Sequence, residues 1–235
     1  MTSASSAVSG SRFIDHLPRG ERLRLLARCE CVQLHDAEVL CEAGARIRHA
    51  YFPADGFISL ITPVPGHQDL EVGMVGDEGV FGAVIGLGVG VSPLRALVQG
   101  AGSAWRMTAA ALRTELQASR TLHTRLDRYL YLLLSQMSRS AGCTRFHLID
   151  QRLARWLLMT HDRARSPHLH LTHEFLAYML GVRRAGITQA AVRLQERGLI
   201  TYRRGELTVL DRPGLEAAAC ACYRMDRDGL DELYS

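Results

Sequence analysis

Five side chains with hydrogen-bonding ends follow one another at helical spacing: Arg183, Arg184, Thr188, Gln189 and Arg193. A guanidinium is a planar fork of donors that matches O6 and N7 of guanine. A primary amide carries the donor and acceptor that match adenine. Ile187, Ala191 and Leu194 fall on the other side of the same run, so the spacing predicts a helix with one apolar and one polar face. A second cationic pair, Arg203 and Arg204, precedes Gly205 between two short β-like runs, Leu199–Tyr202 and Glu206–Leu210. Two arginines at a hairpin tip suit phosphate or minor-groove contact.

The stretch just upstream can hold that helix in place. Thr172 is a candidate N-cap, because its hydroxyl can accept from an otherwise unpaired backbone N–H. Phe175, Leu176, Met179 and Leu180 give a first short helix an apolar face. Gly181 should end it, since glycine enters the left-handed region without a Cβ penalty. The pattern is a helix-turn-helix whose second helix can enter a major groove, followed by a wing. By side-chain chemistry, Arg184, Gln189 and Thr188 are the expected base readers. Arg183, Arg193, Arg203, Arg204 and His173 are expected nearer phosphate.

Charge distribution agrees. Between Asp150 and Gly205 there are ten arginines and four acidic residues, so this segment carries +6 in a chain of net +4. One basic segment beside a near-neutral remainder suits a polyanionic partner. Arginine-rich codon usage would produce the same composition.

Other chemistry-bearing residues lead less far. His168, His170 and His173, in HLHLTH, lack an accompanying HExxH pattern, and a solvated turn accounts for them. No nucleophile elbow or paired-carboxylate arrangement is present, so no enzyme is expected and no catalytic residue is named. The six cysteines contain no CxxC and read as free thiols in a reducing compartment. The one metal or iron–sulfur grouping considered is Cys29, Cys31 and Cys41 with Cys143; the expectation is no metal and no cofactor. No run of about 18 apolar residues is free of charge, so no membrane span is expected. The N-terminal MTSASSAVSGSR lacks the pattern of a secretory signal. Together these point to the cytoplasm.

The rest of the chain reads as an α+β protein. Residues 1–12 should be a loose tail, with a helical pattern over Phe13–Cys29 and a junction near Pro18. From Val32 to Met107 short β-like runs alternate with turns: Val32–Leu34, Val39–Cys41, Tyr51–Phe52, Phe57–Thr62, Leu70–Val75, Leu94–Gln99 and Ala104–Met107. That spacing predicts an antiparallel barrel or jelly roll. The glycine-rich Gly76–Gly90 has no GK[ST] ending, so it is no phosphate loop, and a short helix is expected within it. Ala109–Leu116 reads as a short helix. Leu122, Leu126, Tyr129, Leu133 and Met137 then form a near-heptad seam on a long helix over about 119–140, suited to a coiled-coil partner. Gly142 should break it before a helix over His147–His161, which packs behind the helix-turn-helix. Pro167 should break the chain next. A last helix is expected over Pro213–Tyr223, with 226–235 frayed. The expected domains are a β-barrel with flanking helices (1–118), a dimerisation helix (119–141) and a winged helix-turn-helix domain (142–235).

Barrel, long helix and winged helix-turn-helix in this order resemble the bacterial cyclic-AMP receptor and FNR-type transcription regulators. The resemblance is strongest in LTHEFLAYMLGVRRAGITQAAVRLQERGLI (171–200), with further likeness in GARIRHAYFPADGFISL (44–60) and EVGMVGDEGVFG (71–82). It implies a bacterial homodimer on a pseudo-palindromic double-stranded-DNA operator, with RNA polymerase as a further partner. It also implies that Thr172 helps position the motif on phosphate, that Arg184 reads a base and that Gln189 faces the groove. Two departures matter. Ala185 stands where the family often has an acidic residue. In the barrel, Gly82 is followed by Ala83 rather than glutamate, and Leu94–Arg95 replaces the phosphate-binding Arg-Ser or Arg-Thr pair. A one-residue shift in a strand turns the side chain to the other face, so the barrel is cyclic-nucleotide-binding-like in fold but should not bind a cyclic nucleotide. The effector is left open. The competing readings are a protein-interaction or ligand-sensing module with a vestigial DNA-binding domain, and a jelly-roll metalloenzyme.

Overall fold

A computed structural model describes residues 8–164 and 168–235. Arg165 and the expected break at Pro167 fall outside these residues. The chain is α+β and divides into two compact units. One comprises the residues up to Ser59 together with Met74–Tyr131; the other comprises Leu60–Gly73 and Leu132–Ser235.

The first unit begins with two short helices, α1 (Arg12–Asp15) and α2 (Arg19–Leu26), with Pro18 as the residue before α2. The segment ahead of α1 is not loose from Ser9 onward. The Ser9 N–H donates to Asp15 Oδ1 at 2.8 Å, and the Trp105 indole N–H donates to the Ser9 carbonyl at 2.9 Å. Seven strands follow: β1 (Glu30–Leu34), β2 (Val39–Cys41), β3 (His49–Pro53), β4 (Phe57–Thr62), β5 (Leu70–Val75), β6 (Arg95–Gly100) and β7 (Gly102–Thr108). They form a three-stranded sheet, β1-β7-β3, and a four-stranded sheet, β2-β6-β4-β5. Register in the first sheet runs from Glu30 opposite Arg106 to Leu34 opposite Gly102. The glycine-rich stretch contains one short 3-10 helix, Ala83–Leu87.

Burial explains the order. In β4 all residues but the last are buried, as in a strand covered on both faces. Phe13 sits 5.6 Å from Phe52 and 6.0 Å from Tyr129 between ring centroids, the second pair edge to face, a favoured aromatic geometry. The helix α3 (Ala109–Ala118) is capped by Thr108, whose hydroxyl accepts from the Ala111 N–H.

The long helix α4 runs from Arg120 to Phe146. Ser119 caps it by accepting from the Leu122 N–H at 3.0 Å. Gly142 does not interrupt it. A helical glycine costs only about 1 kcal/mol relative to alanine, and the helix continues one more turn to end beside His147. The seam residues Leu122, Leu126 and Tyr129 are 2% exposed or less. They fill the first unit's own core, so these three are not free to meet a partner chain. Leu133 and Met137 are half-buried, whereas Tyr131 and Leu134 on the same helix are 73% and 63% exposed.

The second unit continues with α5 (Ile149–Ala164), β8 (His168–His170), α6 (His173–Leu180), α7 (Arg184–Glu196), β9 (Ile200–Arg203), β10 (Glu206–Val209), α8 (Arg212–Ala218) and α9 (Cys222–Tyr234). HLH is thus a strand rather than a turn: β8 pairs with β10, and the sheet order is β8-β10-β9. Nor does the C-terminus fray at 226, since α9 extends to Tyr234. Its Asp226 is buried between Arg139 and Arg155, at 2.6 and 2.7 Å, which binds α9 to α4 and α5.

Candidate nucleic-acid interface

The α6–turn–α7 hairpin is built as its residue types require. The Thr172 hydroxyl accepts from the Phe175 N–H at 3.1 Å, capping α6. Gly181 ends α6 at φ +61°, and its N–H and that of Val182 bond back to Tyr178 and Ala177. Behind the hairpin α5 supplies the floor: Leu153, Leu157 and Leu158 are fully buried, and Trp156 meets Phe175 edge to face at 6.3 Å. On α7, Ile187, Ala190, Ala191 and Leu194 are buried, while Arg183, Arg184, Thr188, Gln189 and Arg193 are exposed. That is the amphipathic division the spacing predicted.

The wing tip is a two-residue turn. Arg203 pairs with Glu206, leaving Arg204 at φ +54° and Gly205 at φ +88°. Positive φ at both central residues is the type I′ signature, which matches the twist of a hairpin. Both wing arginines are exposed.

The wing is tied to the hairpin by contacts that sequence reasoning did not find. His173 stacks on Tyr202 with ring centroids 4.4 Å apart and planes 13° apart. Its Nδ1 lies 3.0 Å from the Thr188 hydroxyl, which also donates to the Arg184 carbonyl. The Tyr202 hydroxyl donates to the Leu171 carbonyl at 2.7 Å, and its N–H donates to Gln195 Oε1 at 2.6 Å. Burial, reinforced by the Arg184 charge, holds the His173 imidazole below the ordinary histidine value. Neither Tyr202 nor Gln195 has a periodicity that would mark it in the sequence.

The arginines of the basic segment divide into two sets. Arg152 donates to the Leu180 carbonyl, Arg155 pairs with Asp226, Arg163 bonds back to Met159, and Arg193 faces Asp150 at 3.5 Å. Arg183, Arg184, Arg203 and Arg204 make no ion pair among the described residues, and the exposed Arg197 at the end of α7 joins them.

This geometry has counterparts. Residues 151–218 match the family model described as a Crp-like helix-turn-helix domain.

The second unit contains a Crp-like helix-turn-helix domain.

Beyond the Crp-like domain, about four fifths of the chain has a fold similar to that of solved Crp/Fnr-type regulators. FixK2 from Bradyrhizobium japonicum matches with a TM-score of 0.67 at 14% identity, over 82% of this chain and 98% of that one. The regulator CLP of Xanthomonas campestris, described as c-di-GMP-responsive, matches at 0.66 and 18%, over 82% and 99%. TTHB099, a CRP-family transcriptional regulator of Thermus thermophilus, matches at 0.65 and 18%, over 80% and 96%. No curated protein sequence matches the chain.

Outside the Crp-like domain, two sets of residues bear on ligands. Ala83, where the resemblance implies a glutamate for the ribose, is buried at the start of the 3-10 helix. Arg95 opens β6 and faces Glu42 at 3.4 Å, so an anion there would compete with a carboxylate. The cysteine grouping considered from sequence is not the one the fold makes. Cys143 lies in the second unit beside Cys220, Cys222 and His147. Cys29, Cys31 and Cys41 belong to the first unit, where burial and the Glu115 charge push the Cys29 thiol up to about 12.

Proposed function

We propose that this protein is a sequence-specific double-stranded-DNA-binding transcription regulator that acts as a homodimer in the bacterial cytoplasm. The observation that carries this reading is the set of exposed arginines without ion pairs at the start of α7 and at the wing tip, in a domain whose buried arginines among the described residues, Arg152, Arg155 and Arg163, are engaged. Arg184 and Gln189 read base edges. Thr188, whose hydroxyl is engaged within the domain, offers its methyl group to thymine. Arg183, Arg203, Arg204 and the Thr172 end of α6 contact phosphate. Arg193 contacts phosphate by leaving Asp150. His173 sets the angle between hairpin and wing through Thr188 and Tyr202, and its neutral ring makes it a positioning group more than a cationic phosphate contact.

Dimerisation uses the segment 119–141 through the face of α4 that the first unit leaves open: Tyr131 and Leu134, with Leu133 and Met137 beside them. Two copies of α7 would then address half-sites about 34 Å apart, one helical turn of DNA. RNA polymerase is the further protein partner. The barrel receives a signal other than a cyclic nucleotide, because Ala83 and the Arg95–Glu42 pair leave the ribose and phosphate of such a ligand without their partners. The protein carries out no reaction of its own.

Selection of bound fragments from a bacterial genome by the purified full chain tests this. A symmetric motif with salt-sensitive affinity is expected, since phosphate contacts release counterions. Fragments without a common motif, or binding indifferent to salt, would defeat it.

A further inference from the structure

Three cysteines and a histidine, from two parts of the chain far apart in sequence, meet at the end of α4. Cys143 and His147 are one helical turn apart, with the His147 N–H bonded to the Cys143 carbonyl at 3.1 Å, so both side chains leave the same face. Cys220 lies in the bend between α8 and α9, and Cys222 is the first residue of α9. The three cysteines are buried, at 3%, 5% and 8% exposure, and form a cluster of their own. All are free thiols.

We propose that Cys143, His147, Cys220 and Cys222 bind one zinc-type divalent ion that fastens the terminal helix to α4.

The spacing of the donors supports one ion. All four potential ligand atoms lie within 4.8 Å of one another. The Cys143 and Cys220 sulfurs are 3.5 Å apart, and Cys222 Sγ is 3.7 Å from His147 Nδ1. A tetrahedral ion with metal–sulfur bonds of about 2.3 Å and a metal–nitrogen bond of about 2.0 Å has edges of roughly 3.5–3.8 Å between donor atoms. An iron–sulfur cluster places irons and sulfides between its cysteine sulfurs and needs a wider cage. A Cys3His set is a closed, four-coordinate structural type, with no position left for a reacting water.

The surroundings suit it as well. Three thiolates and a divalent ion carry net negative charge. Arg155, buried nearby and fixed by Asp226, places a positive charge beside Cys143, and Arg152 adds a second. Such outer partners orient and stabilise thiolate ligands. The metal would act beside the ion pairs by which Asp226 already ties α9 to Arg139 and Arg155. Of the residues in α9, only Cys222, Tyr223 and Asp226 are fully buried, with Leu230, Leu233 and Tyr234 half-buried, so the start of the helix is its most enclosed part. The metal would add a crosslink between that end of α9 and α4. The inference does not rest on DNA binding, so it can fail or succeed by itself.

The test is elemental analysis of the full chain purified without added metal or chelator. About one zinc per chain is expected. The double variant Cys220→Ser/Cys222→Ser should lose it, while Cys31→Ser should keep it. If the double variant does not fold, the wild-type chain decides. After zinc removal under reducing conditions, added cobalt(II) should give the sulfur-to-metal charge-transfer band and intense red absorption of a tetrahedral thiolate site. Zinc should also protect Cys143, Cys220 and Cys222 from alkylation. The proposal falls if the wild-type chain takes up neither metal, if zinc leaves those thiols as reactive as before, or if the metal-free chain is isolated with Cys143 and Cys220 joined as a disulfide. A folded double variant that retains its full metal content would overturn it equally.

Discussion

Arginines inside the second unit and arginines on its exposed α7–wing surface have the same chemistry and opposite situations. In the interior, buried Arg155 shares buried Asp226 with half-buried Arg139, and Arg152 donates to the Leu180 carbonyl. On the surface, Arg183, Arg184, Arg203 and Arg204 are exposed and have no carboxylate partner among the described residues. The interior group supports the fold, because a buried charge must be matched. The surface group leaves its donors free for a polyanion outside the chain. A basic segment therefore does not by itself count DNA contacts: part of its charge is internal structure, and only the fold separates the two.

The comparison breaks most visibly at Asp226. Asp226→Ala leaves buried Arg155 without its partner and should destabilise the second unit by about 3–5 kcal/mol. Urea unfolding followed through Trp156 should record that loss. An unchanged midpoint would mean that interior and surface arginines are not different in kind.

A smaller effect, on binding and not on folding, is expected at the surface. Arg184→Ala should lower discrimination at one operator position by about 1–3 kcal/mol, with a melting temperature close to that of the wild type. Arg203→Ala/Arg204→Ala should weaken all duplexes alike and lower the salt slope by about 2. Fluorescence anisotropy across salt concentrations on matched and mismatched duplexes separates the two. If the wing variant altered base preference instead, the division between reading helix and positioning wing would have to be redrawn.

The smallest effect concerns His173. Its folded-state pKa is lowered by burial and by Arg184, so on acidification the unfolded chain takes up the proton first. The contribution of the neutral ring is therefore present above the ordinary histidine value of about 6.5 and is lost as pH falls through it toward the lower folded value. An NMR titration should place the His173 midpoint below ~6.5, and Arg184→Ala should move it upward. A midpoint above the ordinary value would contradict the stacked, partly buried ring.

Much of this was legible in the sequence where local rules decide. Val39–Cys41, Phe57–Thr62 and Leu70–Val75 are strands with the expected bounds, because apolar content and flanking turn residues agree there. Thr172 and Gly181 act as caps for the reasons their types imply. What was not legible depends on partners distant in sequence. The heptad-like seam of Leu122, Leu126 and Tyr129 shows that a helix face must be covered but not by what, and the first unit covers it. Gly142 lies where an added Cβ would meet nothing; it is simply tolerated in a helix whose neighbours favour helix. The HLH strand is too short and polar to announce itself before β10 pairs with it. The sequence sets Cys143 with Cys29, Cys31 and Cys41 as one conceivable group, whereas the bend after α8 and the start of α9 bring Cys220 and Cys222 to it.

Arg204 in its left-handed conformation has a consequence for how this protein can change. A residue with a Cβ is less comfortable there than glycine by about 1 kcal/mol, so a library ranked by heat resistance would enrich glycine or asparagine at the wing tip. Under the proposed phosphate contact, the same library ranked by occupancy of a promoter would enrich arginine. Optimising the protein for shelf life and optimising it for regulation would pull this one position in opposite directions.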